Sequence, residues 1–561
     1  MLMFALGCSS EKKDDPMLAT DSSDETGLDA CSIIINKCSR CHKQGAGAPF
    51  PLTTFDEIRK RGKLIEKVTG SKYMPPWLPG KTGHAFKDDI SLSPLEIRKI
   101  KEWVNSGMMY ESSMVVGGKS NDNLEWALGE PDLVLEMASP FEMPAESEDR
   151  YRHFVLPTGL GVDRYVKGFD FKPGNMDMVH HAFIKIDRTN SSRRQDEADP
   201  SFGFDGMDNR NNAAMPEGHF VSWQQGRKPK LTEDGVSWVL PAGSDIVFQL
   251  HLKSTGRKES LQSKIGLYFT NAGSSKYLKK VNLTRRDFWI PANDQAFKIS
   301  ESFTLVVPAR LRAVMPHAHY LGKTIKADIR YPDGKMENIL HIPSWDPAWQ
   351  SEYVFENPVP MPAGATLVGE ITYDNSSANF RNPNPQPKDV PYGPQIRDEM
   401  FEIAFQLMVD EKAQFDRISK DIDAYNKRIL LNATKFKIEQ DPGNADEWCF
   451  LGQVYLSDQD FEKAQESFVK SINLNPNNPE PYYYLGIYYR FKKDLVRAEH
   501  YFLKTLRLDK NNAKAHGNLG LLYLAKKDYS RSKASFERAL EINPQDELAR
   551  RNIQMLETRG F

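Results

Sequence analysis

Pro316-His317-Ala318-His319-Tyr320-Leu321-Gly322-Lys323 is the stretch on which the reading of this chain turns. In an extended strand residues i and i+2 share a face, so His317 and His319 can offer both imidazoles to one metal ion. The surrounding region, residues 126–411, is rich in aromatic and β-branched side chains punctuated by Pro, Gly and Asn, with few long stretches at helical period. It predicts short strands in an all-β architecture. Eight of the 12 histidines fall inside it, which concentrates the metal chemistry there.

Met178-Val-His180-His181-Ala-Phe-Ile-Lys-Ile186 sets two adjacent histidines at the head of an apolar strand. Neighbours on a regular strand face opposite ways, so sharing one ion requires a bulge or a strand end at that point. Asp245-Ile-Val-Phe-Gln-Leu-His251 closes a second apolar strand on a single histidine, and Asp398-Glu-Met400 opens another with a methionine. Each signal is weak alone: a strand histidine is usually a satisfied core or surface residue, and a methionine usually packing.

Taken in order, His-His, Gln-Leu-His, His-x-His-x-Leu-Gly-Lys and Asp-Glu-Met resemble the copper type II monooxygenases, among them peptidylglycine alpha-hydroxylating and dopamine beta-monooxygenase. The resemblance covers about residues 130–411. It implies two antiparallel, jelly-roll-like β-sandwich domains, over 126–272 and 273–411. It also implies two copper ions, one held by His180, His181 and His251, the other, catalytic, by His317, His319 and Met400. A soft thioether suits Cu(I), and zinc would have little use for Met400. The implied reaction puts one atom of dioxygen into a substrate C–H bond and releases the other as water, using two electrons per turnover. Two features depart from the animal members. The arginine that binds a peptide carboxylate two residues before the His-x-His is here Met315, so a C-terminal peptide glycine is an improbable substrate. No cysteine lies between Cys41 and Cys449, so the region folds without disulfides. His153, His219 and His341 have no matching role and are expected to be surface residues or outer neighbours of the ligands.

Upstream, Cys38-Ser-Arg-Cys41-His42 has the spacing at which two thiols form thioethers to haem vinyl groups while the adjacent histidine reaches the iron. A zinc site would need two further thiols or imidazoles, which His84 alone could only partly supply. Met74, in Lys72-Tyr-Met74-Pro-Pro-Trp77, is the expected sixth haem ligand, with His84 the alternative. Ser93-Pro94 through Gly107 reads as a capped helix ending on glycine. Together these resemble a small all-α cytochrome c domain over 28–112 with one covalently bound haem c, in which Cys31 is an ordinary apolar helix residue.

Downstream, Leu451-Gly452, Leu485-Gly486 and Leu519-Gly520 recur at a period of 34, followed by Tyr455, Tyr489 and Tyr523 and then by Phe468, Phe502 and Phe536. That is the tetratricopeptide pattern, an all-α solenoid over 412–561 whose first helix, residues 412–440, links or caps the array. Such arrays commonly bind a protein partner on their concave face.

A chain of 561 residues exceeds what one core can serve, so about three or four domains are expected. A net charge of −2 gives no electrostatic reason to expect nucleic acid or an anionic membrane as partner. Met1-Leu-Met-Phe-Ala-Leu-Gly-Cys8 resembles the end of a bacterial lipoprotein signal, and residues 9–27 a flexible tether. Membrane contact is expected only through a lipid on Cys8, and the location is the periplasm or cell envelope. The leading expectation is a haem- and copper-dependent monooxygenase that takes dioxygen and an unidentified small-molecule or peptide substrate. A non-enzymatic electron-transfer protein and a tetratricopeptide scaffold with redox-sensing domains are the alternatives.

Overall fold

The computed structural model describes residues 29–43, 48–109, 126–147, 150–206, 212–271, 273–395 and 397–561. Cys8 and the 9–27 tether lie outside the described residues. The chain divides into two compact units, residues 1–76 with 90–124, and residues 77–89 with 125–561.

The first unit is helical: Ala30–Cys38, Phe55–Arg59, Gly62–Gly70 and Pro94–Asn105. Ile33, Ile34, Ile58, Ile65, Ile100 and Trp103 form its core. The last helix starts as its sequence specifies. Ser93 caps the N–H of Glu96, Glu96 reaches back to the N–H of Ser93, and Pro94 takes the first turn, where a missing donor costs nothing. Cys31, 1% exposed, is a core residue of the first helix.

The expected boundaries of this unit, 28–112, require one correction. Residues 77–89 belong with the β-structure instead. Phe86 is buried in that region's core, with Trp77 packed against it. The Trp77 ring meets Tyr353 at 5.4 Å and Phe86 meets Phe355 at 4.9 Å. The N–H of Lys87 donates to Val354 O and that of Glu356 to Ala85 O. Burying an aromatic ring is worth about 1.5–3 kcal/mol, and the main-chain bonds cover the open edge of Tyr353–Met361, which reading the segment as haem-unit loop overlooks.

The second unit begins with two antiparallel sheets. One runs in the order Leu133–Glu136, Lys264–Thr270, Arg164–Lys172, Trp238–Leu240. The other runs Phe204–Asp205, Arg150–Pro157, Asp245–Leu252, Val179–Asp187, Ser222–Gln224. Val166, Phe171, Ile265 and Leu267 of the former share one core with Phe154, Ile184, Phe248 and Leu250 of the latter. A second pair follows. Tyr277–Arg285, Phe401–Val409, Ala309–His317 and Tyr353–Met361 form one sheet. Phe297–Thr304, Thr366–Tyr373, Gly322–Arg330 and Met336–Ile342 form the other. Their inner faces meet in a separate core that includes Leu311, Ile325, Ile371, Ile403 and Phe405.

The Lys412–Gln440 helix leaves the last strand with Ile418, Ile422, Tyr425 and Ile429 buried in that second core, so it is both a β-region element and the lead-in to the array. Three helix pairs follow, Ala445–Ser457 with Phe461–Leu474, Pro479–Phe491 with Leu495–Leu508, and Ala513–Ala525 with Tyr529–Ile542, and Glu547–Thr558 ends them. The repeat glycines have a packing reason. A Cβ on Gly452, Gly486 or Gly520 would stand 2.5, 2.5 or 2.6 Å from the ring of Phe468, Phe502 or Phe536, each wholly buried. The tail is a tetratricopeptide array.

Candidate metal centres

The bulge required by adjacent histidines is present. Val179 pairs with Leu252 and His181 with His251, leaving His180 as the extra residue. Through that slip His180, His181 and His251 each offer a ligand atom, and the three atoms lie within 4.8 Å of one another. Pairing extends the row across four strands, Tyr151 opposite His251, His251 opposite His181 and His181 opposite Gln224. Tyr151 stacks on His251 at 4.6 Å between centroids. The row lies on the outer face of its sheet, since Leu250, Leu252 and Ala182 turn into the core. Burial pushes the His181 imidazole well below its usual range, and His251, His180 and His317 push it further. A neutral imidazole is the form that binds a metal ion.

His317 and His319 form the second cluster, with ring centroids 5.3 Å apart. His317 ends its strand opposite Glu402, and Pro316 pairs with Ile403. Beyond that last pair, Glu399 Oε1 accepts the N–H groups of both His319 and Met400, which holds the two main chains close. Both rings are anchored through Nδ1, His317 by Gln350 Oε1 and His319 by the carbonyl of Asp398 at 3.0 Å. Each Nε2 is thereby left for a ligand, the outer-partner arrangement typical of metal-bound histidine. Burial lowers the proton affinity of both imidazoles.

Glu399, quoted in the sequence motif but given no role there, organises this cluster. Its wholly buried carboxylate accepts the N–H groups of His319, Leu321 and Met400. It ties the His-x-His turn to the methionine. Burial pushes its carboxyl up, against the pull of His319 and the three donors. Gly322 serves the same turn: a Cβ there would stand 2.6 Å from Trp345, whose Nε1 donates to Ala318 O. Tyr373 Oη donates to Met400 O at 2.8 Å. Gln350, Tyr151 and Gln224 were also missed, because each acts through a fold-dependent neighbour with no spacing signal. An acidic residue heading an apolar strand is the one clue that could have singled out Glu399.

The segment carrying Gln350 also reaches the strand beside the first cluster. Gln224, beside His181 in the row, donates to Ala348 O at 3.3 Å, and Arg227 pairs with Glu352. Nearby, Gln406 Nε2 donates to Gly218 O at 2.7 Å, and Arg312 pairs with Glu233 at 3.4 Å. His153 and His219 are not surface residues, being 1% and 8% exposed. His153 stacks on Phe204 inside its sheet, and His219 lies where the two β-regions meet, beside the Gly218 contact. The carbonyl of His341 accepts the N–H of Gly80.

In the first unit, Cys38 closes its helix, and Cys41 and His42 turn back on it, both N–H groups donating to Cys38 O. Both thiols are free. Burial pushes Cys38 up to about 12 and raises Cys41 as well. His42 Nδ1 is 2.9 Å from Phe50 O, which again leaves Nε2 for a ligand. The thiol pair, the turn and the anchored imidazole fit a thioether-linked haem. Met74 follows the Gly62–Gly70 helix in the same unit, its N–H donating to Val68 O. His84, the alternative sixth ligand, falls in the 77–89 segment of the second unit, where its Nε2 lies 3.0 Å from Glu337 Oε1.

Residues 418–550 match the family described as the cytochrome c-type biogenesis protein H TPR domain. Some solved structures are similar to part of this chain. They include MamA (23% identity, 27% of this chain and 85% of that one, TM-score 0.23) and the Arabidopsis OM64 TPR domain (23%, 20% and 95%, TM-score 0.20). The first TPR of Spaghetti (RPAP3), bound to an HSP90 peptide, is similar at 21% identity over 20% of this chain and 91% of that one, TM-score 0.20. No curated protein matches.

Proposed function

We propose that this protein is a copper-dependent monooxygenase that hydroxylates a substrate C–H bond with dioxygen and receives electrons through a c-type haem on its first unit. The observation that carries the reading is the convergence of His180, His181 and His251, from two strands, through a bulge. Two anchored imidazoles tied to Met400 through Glu399 support copper over zinc at the second cluster.

His180, His181 and His251 would hold one copper ion and His317, His319 and Met400 the catalytic one. Cys38 and Cys41 would carry the haem, with His42 and Met74 as its iron ligands. Bound copper supplies one-electron chemistry and dioxygen activation, and the haem supplies electron relay. The chain's own residues prepare for this. Burial keeps His181, His317 and His319 neutral and ready to ligate. Gln350 and the Asp398 carbonyl aim the second pair, and Glu399 fixes their distance from Met400. One oxygen atom enters the substrate as hydroxyl, the other leaves as water, and two electrons and two protons complete the balance. The tetratricopeptide array belongs to a class that mediates protein interactions, and a protein partner would dock there. An exported location with a lipid on Cys8 completes the proposal.

Metal analysis tests it. About two copper ions and about one iron per chain are expected, with about one copper lost in either His181→Ala or Met400→Ala. Zinc in place of copper, or unchanged copper in both variants, overturns the reading.

A further inference from the structure

The 77–89 segment continues the chain from Pro76 and leads on to Ile90, both of the first unit, while its own rings pack in the second. Its first ring follows the expected sixth haem ligand in Met74-Pro75-Pro76-Trp77, where two prolines fix φ and leave little slack. Trp77 meets Tyr353 edge-on at 5.4 Å, and Phe86 lies 6.3 Å from Trp77 and 5.6 Å from Tyr353. From the buried Tyr353 two short routes lead to His317. Across the sheet, Tyr353 pairs with Val314, on the strand that His317 ends. Along the chain, Gln350 precedes Tyr353 by three positions, and its Oε1 meets His317 Nδ1. Gln350 is itself held, its Nε2 donating to Pro347 O at 3.0 Å. Towards the first cluster, the same segment offers Ala348 O to Gln224, which stands opposite His181 in its sheet. The bond at the second cluster is therefore made to a ligand ring, and that at the first to a neighbour of one.

We propose that electrons enter the second unit at Trp77 and reach the second cluster first, through Trp77, Tyr353 and Gln350, rather than by way of His180, His181 and His251. The proposal rests on the reading of a haem on the first unit, with Met74 on its iron, and of copper at both clusters. In the step one electron passes from ferrous haem to Cu(II) held by His317, His319 and Met400. Iron becomes Fe(III), copper becomes Cu(I), and no bond is made or broken. Cu(II) bound by imidazoles and a thioether is too weak an oxidant to take an electron from an indole or a phenol. Trp77 and Tyr353 therefore stay closed-shell and act as a bridge. Tunnelling falls off more steeply across a gap than along bonds, so a route of peptide bonds, one ring contact and one hydrogen bond to a ligand is favoured. The ion that binds dioxygen is thereby the first to be reduced.

The test needs neither substrate nor dioxygen, so no turnover is read. Under argon, a photogenerated flavin radical reduces the haem of the oxidised, copper-loaded, full-length chain. The haem absorption band is then followed in time, and freeze-quenched paramagnetic resonance reports which Cu(II) signal disappears. In the wild type a fast reoxidation of the haem is expected, with the Cu(II) signal of the second cluster lost first. His181→Ala, which leaves copper at the second cluster, should keep that fast phase. Met400→Ala, which leaves copper at the first, should lose it, the haem staying reduced on the same time scale. These two variants leave the Trp77 route intact. Trp77→Leu should lose the fast phase with both coppers bound, and Trp77→Phe, which keeps a ring against Tyr353, should retain it. A fast phase kept in Met400→Ala, lost in His181→Ala, unchanged in Trp77→Leu or missing from the loaded wild type overturns the proposal. With two coppers and one haem bound, any of these removes this proposal and leaves the monooxygenase reading standing. A chain that takes up no copper or no haem removes that reading, and this one with it.

Discussion

The first histidine cluster is held by main-chain pairing and the second by side chains. His251 and His181 are fixed on a five-stranded sheet by ladders on both sides, and a single bulged residue completes the set. His317 ends its strand, and His319 lies beyond it in a turn kept in place by Glu399, Gln350 and the Asp398 carbonyl. A site made of ladder bonds spreads its support over many weak contacts. A site hung on one buried carboxylate concentrates it, so the two clusters should respond very differently to single substitutions.

The largest effect is expected from Glu399→Ala. It leaves three N–H groups, one buried and two partly buried, without an acceptor, which costs about 3 kcal/mol. Thermal unfolding should shift accordingly, and copper analysis should show the second ion lost and the first retained. Loss of both ions together would break the distinction between the clusters. A finer test sets Gln350→Leu against Tyr151→Leu. Removing the outer partner of a metal-bound histidine weakens binding about 10–100-fold, so Gln350→Leu should do this at the second cluster. Tyr151 only stacks on His251, and its loss should cost about 2–10-fold at the first. Chelator competition measures both, and equal losses would show that stacking orients as strongly as hydrogen bonding.

How much of this the sequence showed follows from the range of the forces involved. The tetratricopeptide array was legible down to single residues, because each glycine and phenylalanine answers to a neighbour within its own repeat. The Ser93 capping box was legible for the same reason. The need for a bulge at His180 followed from strand geometry, since two adjacent side chains cannot otherwise share a face. Glu399, Gln350 and Tyr151 were not legible, because their partners lie 33 to 100 residues away and only tertiary register defines them. The 77–89 segment was misassigned because Trp77 and Phe86 suit a haem pocket as well as a sheet edge. Which apolar surface lies nearest is decided by packing, and composition does not report it.

The smallest expected effect separates the two regions by acid. His153 lies in the sheet that carries the first cluster, where burial and the Lys185 charge lower its proton affinity to a pKa of about 4. His219 lies at the contact with the second region, where burial, Arg312 and Lys280 lower it to about 3. An unfolded imidazole titrates near pH 6.5, so between that value and the folded ones the unfolded chain binds the extra proton. Stability from each neutral ring is therefore full above about pH 6.5, declines as pH falls, and stops declining below the folded pKa. Acidifying the metal-free protein from about pH 6.5 to 5.5 should cost about 1 kcal/mol per residue. Hydrogen exchange resolves where the loss falls. His153→Phe, which keeps a ring against Phe204, should remove the acid sensitivity of the Asp245–Leu252 amides and leave that of Phe401–Val409. His219→Gln should do the opposite, and if either variant flattens the response of both strands, the two regions unfold as one cooperative body, and the contrast between ladder-held and side-chain-held clusters is confined to the metal sites.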